Sequence, residues 1–263
     1  MMSTAGVAKY GAFLRIAAAR ATRERGEIYG RMVFFAVILG VFSSLWRAAA
    51  EARIPVAADP KALVWYLAVT EWIGLSAPLM HVEVQEAIRR GDIACQLGRP
   101  VSYIGASFAE GLGLIAVRSP VLGATAFVCA FVFTRQLPPA SVFAFVVPFG
   151  LLGAALMTAM DLWIGLLAFW LEDVSPVYWV WQKLTFILGG LLLPIDLYPE
   201  FMQRAAALTP FPSMLAGPAS FMLSTSVGAG DLAREITIWF GVSAFALWWL
   251  FRRATAVLTF NGG

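Results

Sequence analysis

Charged residues are scarce in this chain: only 13% of its 263 residues are Asp, Glu, Lys or Arg, whereas 60% are hydrophobic. Soluble domains contain about 25% charged and about 45–50% apolar residues. A water-soluble fold of this length would leave much of that apolar surface in contact with water. The composition therefore excludes a soluble enzyme, a disordered chain and a disulfide scaffold, and it indicates an integral membrane protein without a sizeable soluble domain.

Residues that bind metals or carry out covalent chemistry are also few. Cys95 and Cys129 have neither disulfide nor metal-site spacing, and His81, the single histidine, cannot form the two-histidine motif of metalloproteases. We interpret His81 as an interfacial side chain at a helix end. The sequence contains neither a Gly-x-Ser-x-Gly elbow nor a phosphate-binding Gly-x-x-x-x-Gly-Lys-Ser/Thr loop. We therefore expect no catalytic residue, no metal and no bound cofactor on this chain.

Long apolar stretches are abundant. A helix needs about 20 mostly apolar residues to cross a membrane, and six stretches meet this requirement: 32–50, 62–80, 111–134, 140–171, 174–194 and 236–251. They predict an all-α integral membrane protein with six transmembrane helices. Arg118 and Pro120 interrupt the third stretch, where we expect a kink or an interfacial first half over 103–118. No turn signal divides the long fourth stretch.

The distribution of basic residues predicts the orientation of the chain. An even number of spans places both termini on one side of the membrane, and eleven of the nineteen Lys and Arg residues lie on that side. The positive-inside rule assigns that side to the cytoplasm. We therefore expect a multi-pass protein of the bacterial cytoplasmic (inner) membrane with both termini in the cytoplasm. The net charge of +3 is too small and too scattered to indicate nucleic-acid binding.

The first thirty residues predict an interfacial amphipathic helix over 7–30. Apolar side chains recur there at helical spacing, and Lys9, Arg20 and Arg23 fall on the opposite face. Basic residues occur throughout, and no uninterrupted apolar core precedes the first span. The segment therefore does not have the pattern of a secretory signal.

Two loops carry signals of defined structure. In the loop 83–100, Gly91 can end one short helix and Asp92 can cap the next, so the loop is either a structured element or an ordinary solvated connection. In the segment 194–230, five prolines break any continuous helix, and residues 205–230 contain no charge. This pattern suggests short re-entrant helices between spans five and six, and a loop folded over the outer surface is the alternative.

Five ionisable residues fall within the predicted spans. They are Glu71, Glu110, Arg118, Asp161 and Lys183. Charges at membrane depth are costly and face the bundle interior or pair with one another. One interpretation is that these residues form a path for a substrate or for protons. The other is that Arg118 and Lys183 form ion pairs with the acidic residues, and that these pairs only fix how the helices pack.

The segment 189–223, GGLLLPIDLYPEFMQRAAALTPFPSMLAGPASFML, resembles the signature at the end of the fifth span of ABC-2-type permeases. In that family a glycine-rich apolar run leads to a series of prolines around an amphipathic turn. The matching residues here are Gly189, Gly190, Pro194, Pro199 and Pro210. The stretch 89–103, RRGDIACQLGRPVSY, is similar to a cytoplasmic loop of one branch of the family, and the order of both motifs extends the likeness over nearly the whole chain.

The resemblance implies the membrane half of an ATP-driven transporter, generally an exporter. Two permeases, alike or unlike, work with two separately encoded ATPase subunits, which bind ATP and Mg. The loop 83–100 would couple to the ATPase, 7–30 would be the interfacial helix beside it, and 194–230 the re-entrant outer gate. The implied coupling residues are Glu86, Arg89, Arg90, Gly91, Asp92 and Arg99. Substrate would move through a cavity between the permeases, lined by spans one, two and five.

A function of a different class remains open. A secondary transporter driven by an ion gradient would use Glu71, Asp161 and Lys183, and it predicts proton-dependent flux without an ATPase. A membrane enzyme would need a nucleophile, a base and an orienting group, which these motifs do not supply. The sequence leaves the substrate open because a fold does not determine what it transports.

Overall fold

The computed structural model describes residues 4–23, 25–53, 59–93, 101–223 and 228–261. It is 83% helical, and the described residues contain no strand. The longer helices are α1 (Thr4–Ala21), α2 (Arg25–Glu51), α3 (Pro60–Ser76), α4 (Met80–Arg89), α5 (Tyr103–Thr134), α6 (Ala140–Leu166), α7 (Ser175–Leu188) and α11 (Ala229–Asn261). Shorter helices between α7 and α11 are α8 (Glu200–Ala207), α9 (Phe211–Met214) and α10 (Ala216–Ser220).

Four stretches of the described chain are long and apolar enough to cross a membrane: Arg25–Glu51, Pro60–Arg89, Tyr103–Thr134 and Ala140–Phe169. They contain the first three predicted spans and most of the fourth. The other two predicted spans, 174–194 and 236–251, are not among them. Helix α7 has 14 residues, or about 21 Å at 1.5 Å per residue, which is shorter than a hydrocarbon core of about 30 Å. The count of six spans therefore stays a prediction.

Prolines interrupt the second of these stretches but not the third. The second stretch consists of two helices, because Ala77 before Pro78 is extended: α3 stops at Ser76 and α4 begins at Met80. In the third, the helix assignment continues through Pro120 from Tyr103 to Thr134, so its first half belongs to the same helix as the rest. The fourth is also one helix, α6, which continues into a short 3-10 turn at Leu167–Phe169.

The predicted interfacial helix 7–30 is divided in the structure. Helix α1 ends at Ala21, and the residues from Arg25 onward already belong to α2. The apolar face of α1 packs against the first half of α5: a Cβ atom at Gly113 would lie only 2.3 Å from the Leu14 carbonyl oxygen. That face therefore contacts protein. Helical periodicity alone shows that a face is apolar, but it does not show whether protein or lipid covers that face.

Helix α3 lies at the centre of the larger hydrophobic core. Every side chain from Leu63 to Ile73 is buried, as expected for a helix that is apolar on all sides. The ring of Trp72 packs so closely on α6 that a Cβ atom at Gly150 would meet it at 2.3 Å, and its indole N–H donates to the Ser119 carbonyl of α5. A second, smaller core joins α1, α4, the start of α5 and the ends of α6 and α11.

Candidate functional site

Helix α4 presents the predicted coupling residues on its exposed side. Met80, His81 and Val84 are buried, while Glu86, Arg89 and Arg90 are exposed. Arg90 Nη2 donates to Glu86 Oε2 at 2.9 Å, one turn away on the same face.

The end of α4 agrees with the glycine signal. Gly91 has φ +76°, a left-handed conformation that a residue without a Cβ atom adopts without strain, and the helix ends there. Exposed Asp92 begins a second helical stretch. Arg99, the last of the predicted coupling residues, lies outside the described residues.

The buried end of α4 is held by Asp161 of α6. The backbone N–H of His81 donates to Asp161 Oδ2 at 2.9 Å, and His81 Nδ1 lies 2.9 Å from Asp161 Oδ1. The imidazole also stacks on the ring of Tyr178 in α7, with 3.8 Å between centroids. Interpreting His81 as an interfacial side chain is therefore wrong: it is 4% exposed and it joins three helices.

A second contact joins α4 to the beginning of α7. Gln85 Oε1 accepts the backbone N–H of Val174 at 2.8 Å. Next to it, the carboxylate of Asp173 accepts hydrogen bonds from the Ser175 backbone N–H at 3.0 Å and from its hydroxyl at 2.7 Å. These bonds hold the pKa of Asp173 below its ordinary value. The stabilisation that they contribute is present above the ordinary carboxyl pKa and is lost as the pH falls through the lowered one.

Arg118 has a partner that the sequence did not indicate. Its Nη2 donates to Glu27 Oε2 at 2.8 Å, and Arg31 Nη2 donates to Glu27 Oε1 at 2.9 Å. Arg31 also donates to the carbonyl of Leu75, at the end of α3. Among the described residues, the ion pair of Arg118 is with Glu27 at the start of α2, and not with Asp161, Glu71 or Glu110 as expected.

The remaining predicted charges are not brought together. In the described part of the chain, no ion pair within 4 Å includes Glu71, Glu110 or Lys183. Glu71 is buried in α3, whereas Lys183 is exposed, with its ammonium 5.7 Å from the Trp179 ring. Asp161 is already bound by His81. The structure therefore does not assemble a path from Glu71, Asp161 and Lys183.

The two glycines of the predicted gate form a turn that α3 holds in place. Gly190 has φ +69°, and its carbonyl accepts the hydroxyl of Tyr66 at 2.6 Å. The next carbonyl, of Leu191, accepts the hydroxyl of Thr70, also at 2.6 Å. A Cβ atom at Gly190 would lie 2.9 Å from the Tyr66 oxygen. Glycine is thus required both by the conformation and by the close approach of α3.

The gate prolines stand at the starts of short helices. Pro194 precedes the 3-10 turn Ile195–Leu197, Pro199 precedes α8, and Pro210 precedes α9. Proline fits a helix start because its missing N–H would have no intrahelical partner there. The uncharged helices α9 and α10 are buried against α3 and α6, and a Cβ atom at Gly153 would lie 2.3 Å from the Met214 carbonyl oxygen.

A cavity of about 620 Å³ lies between this proline-rich segment, α3 and α11. Its volume is in the range of small-molecule sites. Polar side chains from three parts of the chain line it: Tyr66, Asp196, Gln203, Thr209, Ser213, Ser220 and Glu235. Among the described residues, its lining contains two carboxylates, those of Asp196 and Glu235, and no Lys or Arg.

Comparison with known proteins identifies a family for this chain. A family model described as an ABC-2 family transporter protein matches residues 64–261, which is most of the chain. The matched range includes α4 with its exposed charges, the glycine turn and the proline-rich segment. No curated protein and no solved structure matches.

Proposed function

Because this chain belongs to the ABC-2 family of transporter proteins, we propose that it is the membrane-spanning permease subunit of an ATP-binding cassette transporter that exports its substrate. The observation that carries the proposal is the family match over residues 64–261. The chain is a multi-pass membrane protein by its family and its apolar helices. We propose six spans in the bacterial cytoplasmic membrane, with both termini in the cytoplasm.

The partners follow from the division of labour in such transporters. Two ATPase subunits bind ATP and Mg and hydrolyse the nucleotide, and a second permease, the same chain or an unlike one, completes the membrane part. The sequence of this chain contains no phosphate-binding loop. In this proposal the chain therefore contacts the ATPase subunits and changes conformation with them, while the ATPase subunits bind the nucleotide.

Helix α4 is the coupling element in this proposal. Its exposed side, with Glu86, Arg89 and Arg90, contacts the ATPase, and its buried side is fixed to α6 and α7 through His81 and Gln85. A displacement of α4 would thus reach α6 and α7 through short polar contacts. ATP binding would shift the equilibrium between inward-open and outward-open arrangements by contacting α4 differently in each.

The pathway between two permeases would be lined mainly by α2 and α7. Both have rows of exposed apolar side chains, whereas α3 is enclosed within its own chain and offers little surface to a partner. The sequence predicted that the second span also lines the pathway. In this proposal it does so only at the cavity of about 620 Å³ that Tyr66 of α3 lines. The re-entrant outer gate of this pathway would be formed by the glycine turn together with α8, α9 and α10.

An ion-gradient-driven transporter is the weaker alternative. It would need exchangeable charges close to one another, and Glu71, Asp161 and Lys183 do not form ion pairs with one another. The family match also favours the ATP-driven class.

Purification of the tagged chain from its native membrane in a mild detergent, followed by mass spectrometry, tests the proposal. We expect a stoichiometric ATPase with a phosphate-binding loop, and the masses will show whether the second permease is a copy or an unlike chain. Recovery of the chain without any ATPase in several detergents, together with proton-dependent flux in vesicles, would replace the proposal by the alternative.

A further inference from the structure

A second cavity, distinct from the proposed pathway, lies between the first turns of α5 and the lower half of α11. It is a groove of about 340 Å³ with mostly apolar walls, which include Phe108, Phe240, Leu247 and Phe251. The stacked rings of Tyr103 and Phe251, with centroids 6.0 Å apart, connect the two helices at one end.

The length of the groove matches one leaflet of a membrane. Along α11 the groove extends from Phe240 to Arg252, which is about 18 Å at a rise of 1.5 Å per residue. Half of a hydrocarbon core of about 30 Å is about 15 Å. Trp248 and Arg252 line the end of the groove, and aromatic and basic residues of this kind are typical of a membrane–water interface.

The polar end of the groove is positive. The guanidinium of Arg252 lies 4.7 Å from the centroid of the Trp248 ring, and both residues line the groove. Ser102, at the same end, caps the N-terminus of the 32-residue α5, so the positive end of that helix dipole is also there. None of the described residues that line the groove is acidic.

We propose that this groove binds a phospholipid with an anionic headgroup. The phosphate lies at Arg252 and Ser102, and one acyl chain follows Phe108, Leu247 and Phe240 between α5 and α11. The acyl chain fills the space between the helices, and the two positive features select an anionic headgroup over a zwitterionic one. The proposal requires only that the chain lies in a membrane, and it does not depend on transport.

Arg253 provides a matched control. Its guanidinium lies 4.7 Å from the centroid of the Trp249 ring, which is the same distance as in the Arg252 pair, but neither Arg253 nor Trp249 lines the groove. Arg252→Ala and Arg253→Ala therefore remove the same charge from the same end of α11, but only Arg252 lines the groove.

Native mass spectrometry of the purified full chain tests the proposal, with palmitoyl-oleoyl phosphatidylglycerol or phosphatidylcholine added to the detergent. We expect the wild-type chain to retain phosphatidylglycerol preferentially. Arg252→Ala should weaken its binding about five-fold, which corresponds to about 1 kcal/mol for one basic residue near a lipid surface. Arg253→Ala should keep the wild-type preference. Ala244→Leu, which fills the groove, should reduce the binding of both lipids, while Val242→Leu on the exposed side should not.

Three outcomes would overturn the proposal. If the wild-type chain retains the two lipids equally, headgroup charge has no role in binding. If the two arginine variants lose phosphatidylglycerol binding equally, the arginines attract anionic lipid only diffusely and the groove is not the site. A lipid-free dimer that Ala244→Leu dissociates would show that a second copy of the chain occupies the groove. If Arg252→Ala does not yield folded protein, the comparison of Ala244→Leu with Val242→Leu still decides whether the groove holds lipid.

Discussion

Asp161 satisfies two groups of α4 at once. Its carboxylate accepts the His81 backbone N–H, which is one of the unpaired donors at a helix start, and it lies beside the imidazole of the same residue. A carboxylate at a helix N-terminus is also favoured by the helix dipole. Because both residues are buried, removing the Asp161 carboxylate leaves the His81 N–H and imidazole without this partner, and large losses of stability arise when buried polar groups lose their partners.

We therefore expect Asp161→Ala to destabilise the chain by about 3 kcal/mol. His81→Ala should cost less, because the backbone N–H still reaches Asp161. The double variant should be more stable than the sum of the two effects predicts, since the interaction is lost only once. Thermal unfolding in detergent measures all three variants, and strictly additive losses would contradict the contact.

Close backbone approaches fix the short helices between α7 and α11. Helix α9 lies against α6 where Gly153 has no side chain, and the turn before the segment lies against α3 at Gly190. These elements have little regular hydrogen bonding of their own, so their positions depend on contacts with longer helices. Small residues at such contacts allow helices to approach without a cavity.

Gly153→Ala tests the contact between α6 and α9. Alanine in a helix interior is favoured over glycine by up to about 1 kcal/mol, but here its Cβ atom would lie 2.3 Å from the Met214 carbonyl oxygen. We expect a net loss of about 1–3 kcal/mol, typical of overpacking. Gly241→Ala in α11 is the matched control, because nothing lies within 4 Å of its Cβ position, and it should leave the melting temperature unchanged or raise it.

The local signals in the sequence predicted helices and helix ends better than they predicted which side chains pair with one another. Apolar length predicted the helices around 32–50, 111–134 and 140–171, and Gly91 and the prolines predicted helix ends that the structure has. The partners of Arg118 and Asp161 were not predictable, because Glu27 is 91 residues from Arg118 and His81 is 80 residues from Asp161. Periodicity describes which face of one helix is apolar, and it contains no information about which other helix covers that face.

At the scale of the whole molecule, two layers follow from the two cores. The larger core surrounds α3 and includes the glycine turn and the buried short helices. The smaller core contains α1, α4 and the ends of α5, α6 and α11. The exposed side of α4 lies in the layer of the smaller core, and the cavity beside Tyr66 lies in the layer of the larger core. Helix α6 extends through both layers.

Variants of the exposed charges at the end of α4 test whether this side of the molecule binds an ATPase. Arg89→Ala and Asp92→Ala should uncouple ATP hydrolysis from transport while the chain stays folded in the membrane, because both side chains are exposed. Arg234→Ala, which removes an exposed arginine that pairs with Asp231 at the start of α11, is the control and should leave coupling intact. The ATPase activity of the purified complex and its transport in vesicles measure the effect, and unchanged transport in both variants would contradict the coupling role of α4.

The contact between His81 and Asp161 also has a consequence for biosynthesis. Asp161 follows His81 by 80 residues, and at about 5–20 residues per second a ribosome needs roughly 4–16 s to add them. During that interval the start of α4 is made but its carboxylate partner is not. The surface that we propose for the ATPase therefore reaches its final position only after α6 has been synthesised and inserted. A nascent chain that stops before residue 161 would carry the charges of α4 without the contact that holds them in place.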